Sequence, residues 1–161
     1  MVDPNFVDDP SLLDDEQIGA TPPDNRRGAR QLALQVLYWT HTSPGETESA
    51  IGQLAERFAL SDETKDFAAQ LVATVQGNED ELLKLLDEGV NNWKRERLAR
   101  IDSLILRLAL AEIIHLDAIP IRVSVDEAVE LAKMYSGPQA YAFVNGVLDA
   151  IVRRRGLSFE N

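Results

Sequence analysis

The chain contains no cysteine, only two histidines and only ten aromatic residues among 161. Without cysteine there are no disulfides, no thiolate nucleophile and no sulfur-ligated metal, and a reducing cytoplasm is the expected compartment. His41 and His115 lie too far apart in the chain to mark a metal site by spacing. No P-loop, GxGxxG or HExxH occurs, no carboxylate pair stands out as an acid/base couple, and nothing favours a Ser-His-Asp arrangement. No enzymatic activity, metal or cofactor is therefore expected. An uninterrupted run of about 20 predominantly apolar residues is missing, as are a signal peptide and a lipidation motif, so no membrane attachment is expected either. Residues 26 to 161 show neither the alternation of strands nor an internal repeat.

What is present is helical patterning around one unusually apolar stretch. In Ile101 to Leu116, IDSLILRLALAEIIHL, only Arg107, Glu112 and His115 interrupt the apolar run after Asp102 and Ser103. A surface helix needs a polar face and this one has almost none, so it should be a central rod buried by its neighbours. Pro120 forbids its continuation. Arg107, inside the run, should reach solvent or pair with an acid such as Glu127 or Glu130. With 161 residues, one domain with a substantial core is expected.

Charge is unevenly spread. The net charge is −11, and residues 1 to 25 contribute −7 of it through seven acids and no Lys or Arg. Four of the seven prolines fall there too. Residues 1–23 therefore read as a disordered acidic tail, either a solubilising extension or a self-inhibitory or interacting arm, and 24–157 as the folded domain.

At Asp24 a helix should begin, with Asp24 as N-cap and Ala29, Leu32, Ala33, Val36 and Leu37 inward. Its first turns hold Arg26, Arg27 and Arg30, where the macrodipole disfavours cations by roughly 0.3–1 kcal/mol each. At about 100° per residue these arginines share a flank with Tyr38. Guanidinium forks grip phosphate and an aromatic face stacks a base, which suits single-stranded nucleic acid; a solvated flank countering the acidic tail fits equally.

Further helices follow in order. One starts at Ser43-Pro44-Gly45-Glu46, with Ile51, Leu54, Ala55 and Phe58 inward. The next follows Ser61, with Phe67, Ala68, Leu71, Val72 and Val75 inward. Another is capped by Asn78, with Leu82, Leu83, Leu85, Leu86, Val90 and Trp93 as a broad apolar face. A basic run from Lys94 to Arg100 leads into the central rod. Beyond Pro120, Ser124 and Glu127 form a capping box with a Val123–Ala128 staple. The last helix buries Phe143, Val144, Val147, Leu148, Ile151 and Val152, and Gly146 within it should let another helix approach closely. The expected fold is all-α with about seven helices.

The pieces in this order carry a resemblance. Arg26-Arg27-Gly28-Ala29-Arg30 with LALQVLY after Gln31, Glu96-Arg97-Leu98, Ile105-Leu106-Arg107-Leu108, Ile119-Pro120, EAVELAK at 127–133 and FVNGVLD at 143–149 resemble the transcription antitermination factor NusB family over roughly Arg26 to Val152. The resemblance implies two packed helical sub-bundles and a non-enzymatic factor of the transcription elongation complex. It implies pairing with ribosomal protein NusE and binding of the single-stranded boxA element of nascent ribosomal RNA transcripts. By position, Arg26, Arg27 and Arg30 match the arginine-rich RNA-contacting motif, and Lys133, Tyr135 and Gln139 match residues lining the same RNA surface. Gly28 and Ala142 stand where many members have a base, SGPQA at 136–140 replaces a segment that commonly carries acids and a serine, and Ala111 replaces a common tyrosine. With no methyltransferase domain following, a standalone factor is expected. The alternative is a protein-interaction adaptor of the same fold with little RNA affinity; a homodimer stays open.

Overall fold

The computed structural model describes residues 21–40, 44–90 and 98–159. The readings that concern the first 20 residues, His41, a Ser43 cap, Trp93 and the basic run at 94–97 lie outside them. The described residues contain seven helices and no strand: α1 Arg26–Trp39, α2 Pro44–Arg57, α3 Asp62–Gly77, α4 Glu79–Gly89, α5 Arg100–His115, α6 Ile121–Tyr135 and α7 Ala140–Arg154. They form two compact units, α1 to α3 ending at Gly77 and α4 to α7 from Asn78 onward. The all-α expectation of about seven helices is met.

In the first unit α1 packs on α2 and α3, and α2 on α3. Leu32 and Val36 of α1, Ile51 and Ala55 of α2, and Leu71, Val72 and Val75 of α3 are buried. The helix α3 follows Ser61 as expected, with the Ser61 hydroxyl accepting from the Thr64 N–H at 3.3 Å, and Asp62 and Glu63 lie in the first turn, where the dipole favours acids. Two expectations are corrected. The N-cap of α1 is Asn25, whose Oδ1 accepts from the Gly28 N–H at 3.0 Å, because the Asp24 carboxylate is engaged elsewhere. And α1 is buried continuously from Gly28 to Tyr38, Arg30, Gln31 and Gln35 included, so the side read as a solvated flank is open only at its start.

In the second unit α5 packs against α4, α6 and α7. Of its 16 residues 11 are buried, which makes it the central rod that its composition predicts. Even Glu112 is 2 % exposed, and it accepts a hydrogen bond from the Ser124 hydroxyl at 3.0 Å. That bond explains a boundary the sequence misplaces. Ser124 is not a cap; α6 begins at Ile121 with Pro120 in the N-cap position, and Ser124 lies inside the helix facing Glu112. A buried carboxylate left without donors costs more than an N-terminal cap returns. Val123, expected as a staple, is 40 % exposed. Arg107 does find an acid: Glu79 in the first turn of α4, at 3.0 Å. Its Nε also donates to the Ser103 carbonyl within its own helix.

The close helix approach expected at Gly146 occurs at Gly89 instead. A Cβ on Gly146 would meet nothing within 4 Å, whereas one on Gly89 would lie 2.6 Å from Cγ1 of Ile151 and 3.0 Å from Cγ1 of Val147. So α4 rests on α7 through a missing side chain. Opposite outcomes follow for two alanine substitutions: Gly146→Ala should stabilise by about 0.5–1 kcal/mol through helix propensity, and Gly89→Ala should destabilise by about 1–3 kcal/mol through overpacking. Urea unfolding of the two variants checks the pair, and stabilisation by both would place α4 differently.

Candidate nucleic-acid interface

The candidate site is built where α1 begins. Asp24 precedes the cap and reaches α3: its Oδ1 accepts from the Ser61 N–H at 3.0 Å, the Ser61 hydroxyl at 2.8 Å and the Thr64 hydroxyl at 2.6 Å. These bonds, the one from Thr64 foremost, hold its carboxyl below the ordinary value of 3.8. The latch is therefore complete above that value and is lost as the pH falls through the lowered one. Behind it the chain doubles back, with the Pro23 carbonyl accepting from the Asn25 N–H at 2.9 Å. A Cβ on Gly28 would lie 1.6 Å from that same carbonyl oxygen. Position 28 has no room for the base common in the family pattern, because the backbone of residue 23 fills the place.

One turn beyond Thr64 on α3, the half-buried ring of Phe67 receives two cations. The Arg26 guanidinium carbon lies 4.9 Å from its centroid and that of Arg30 5.4 Å. Arg26 and Arg27 are exposed; Arg30 is 4 % exposed. Arg26 has no carboxylate within ion-pair distance among the described residues. A concavity beside the ring is lined by Arg26, Asn25, Ser61, Thr64 and Gln70 together with Asp24, Glu63 and Asp66. The last two carboxylates disfavour phosphate on the α3 wall, leaving the α1 side for an anion.

The remaining expected residues are divided between solvent and core. Tyr38 is 6 % exposed and cannot offer a face to a base. The exposed aromatic is its neighbour Trp39, at 43 %, packed edge-on against it with centroids 6.0 Å apart. In the second unit Lys133 and Gln139 are exposed while Tyr135 is 5 % exposed. The aromatic on the surface there is Tyr141, at 41 %, its ring 5.2 Å from the Lys133 ammonium, which also pairs with Glu130 at 3.5 Å. In both units the aromatic named from the sequence is buried and a neighbouring one is exposed. A helical projection places Trp39 about 100° from Tyr38 and could have found it; Phe67 and Tyr141 meet their cations from other helices and carry no such signal.

At the far end of α6, Ser136 bonds Asp102 from the first turn of α5. Burial, the larger influence, pushes the Asp102 carboxyl above 3.8 against the pull of that bond. The sign is opposite to that of Asp24: Asp102 supports folding below the ordinary carboxyl range, and that support is lost as the pH rises through its raised value. Among the described residues there is no cluster of His, Asp or Glu able to hold a metal and no helix long and apolar enough to cross a membrane.

These features define an all-helical protein of two small bundles that presents arginines against an aromatic ring at the start of its first helix. The model of the NusB family matches residues 27–153. Transcription antitermination protein NusB of Acetivibrio thermocellus is 33 % identical over 133 residues, covering 83 % of this chain and 92 % of that protein. Among solved structures, T. maritima NusB superposes with a TM-score of 0.71 at 27 % identity, covering 80 % of this chain and 91 % of its own. A chain from a crystal structure of a plectonemic RNA supercoil does so with 0.73 at 29 %, covering 83 % and 97 %. The chain belongs to the NusB family of transcription antitermination proteins.

Proposed function

We propose that this protein is a cytoplasmic, non-enzymatic factor of the transcription elongation complex that binds boxA-type single-stranded RNA together with ribosomal protein NusE. One observation carries the reading: Arg26 and Arg27 are held exposed at the positive end of α1, where the dipole disfavours them, and Arg26 has no acid partner among the described residues. Cations placed against the dipole are explained by an anionic ligand. Lys133, Gln139 and Tyr141 form a second exposed cation, amide and aromatic group suited to RNA. The match to a chain from an RNA crystal structure supports the same reading. Titration of a boxA-type oligonucleotide with and without NusE tests it; saturable, salt-sensitive binding is expected, and no binding in either condition overturns it.

A second reading, a protein adaptor with little RNA affinity, is favoured by the burial of Arg30, Tyr38 and Tyr135. Three of the seven residues expected to contact RNA are thus buried.

The acidic segment bears on both readings. Within residues 1–20 lie six acids and no base, and Pro23 and Asp24, a few residues further on, lie next to Arg26 in the chain. Tethered charges at an effective concentration of the order of millimolar compete with phosphate. Removing residues 1–20, which spares the latch, should tighten RNA binding about two- to tenfold at low salt, with the gap closing as salt is added. Equal affinities at every salt concentration would leave the segment a solubiliser.

A further inference from the structure

We propose that Phe67 is a positioning residue for RNA binding: its ring holds the Arg26 guanidinium so that the donor edge faces outward to phosphate. The inference rests on the RNA reading above. A guanidinium is planar, with all five N–H donors in the plane at its rim. Stacked on an aromatic ring it satisfies its face and leaves the rim free, so one cation engages ring and anion together. The 4.9 Å between the Arg26 carbon and the Phe67 centroid fits such stacking. An unsupported arginine on the first turn of a helix would lose its rotamer freedom on binding; one already resting on a ring has lost part of it beforehand.

The surroundings fix the ring in its turn. Thr64 and Phe67 are three residues apart on α3 and share a face. Thr64 is buried and donates to Asp24 at 2.6 Å, so the bond that ties the start of α1 to α3 also sets the ring under Arg26. Buried Arg30, 5.4 Å from the same centroid, occupies the ring from the next turn of α1. With two guanidinium groups within 5.4 Å of its centroid, Phe67 is engaged by cations and not by a base. It therefore serves contacts to the RNA backbone, and what it contributes is independent of base sequence.

The test uses the full chain with two probes, a boxA-type RNA oligonucleotide and a shuffled one of equal length. Phe67→Leu should weaken both by the same factor, about two- to fivefold, and Phe67→Tyr should restore both. In an Arg26→Ala background Phe67→Leu should cost nothing further, because the ring acts through that arginine. The Arg26 side-chain protons should show an upfield ring-current shift in the NMR spectrum of the unaltered protein and lose it in Phe67→Leu, with thermal unfolding confirming that the variant is folded. A full loss from Phe67→Leu that persists without Arg26, weakening confined to the boxA probe, or no ring-current shift in the unaltered protein would each overturn the inference. Should Arg26→Ala itself leave RNA binding unchanged, the RNA reading of α1 fails instead.

Discussion

Leu106→Ala is expected to lower the free energy of unfolding by about 2–5 kcal/mol, a large part of the roughly 5–15 kcal/mol that holds a domain together. Leu106 is completely buried, on a helix that packs against three others, so the space it vacates is walled on several sides and collapses poorly. The loss has a transfer part and a cavity part, and it is the cavity part that reports how central the helix is. Denaturant unfolding should show a lower midpoint with an unchanged slope. A loss below about 1 kcal/mol would mean that the site relaxes freely, as at the edge of a bundle, and that α5 is not the rod around which the second unit is built.

That rod was legible in the sequence because its evidence is local. An apolar run with three interruptions has no face to give to water, whatever surrounds it. Helix order and most inward faces, such as Ala68, Leu71, Val72 and Val75 on α3, follow from the same short-range periodicity. The misreadings share a different cause. Asp24 looked like a cap until Ser61 and Thr64, nearly forty residues on, supplied better donors. Ser124 looked like one until Glu112 needed it inside the core. Asp24 and Ser124 each gave up a local cap for a distant partner: desolvation of buried Glu112 decides it for Ser124, and three donors on one oxygen decide it for the exposed Asp24.

The candidate site divides along the same line. Arg26 and Arg27 were legible as exposed cations because they precede the apolar stripe of α1. Arg30 and Tyr38 lie on the same projected flank, but the helix is buried past its first turn, which no helical projection reveals. Gly28 read as a lost base; its room is taken by the Pro23 carbonyl, a contact made by the segment just upstream of the resemblance.

The second large effect is on RNA. With Arg30 buried over Phe67, the three arginines should not behave alike. Arg30→Ala should cost folding stability, since it removes a buried side chain and its ring contact. Arg26→Ala with Arg27→Ala should leave stability within about 1 kcal/mol, because relief from the helix dipole offsets the lost ring contact of Arg26. Yet the double variant should bind boxA-type RNA about tenfold to a hundredfold more weakly near 50 mM salt, since each phosphate contact made through counterion release carries weight there.

The decisive measurement is the salt dependence of that binding, taken with NusE present, for the unaltered protein and the Arg26→Ala/Arg27→Ala variant. For single strands the slope of log affinity against log salt is about −0.7 per neutralised phosphate, so losing two contacts should flatten it by roughly 1.4. A folded double variant with unchanged slope and affinity would contradict the placement of RNA at the start of α1.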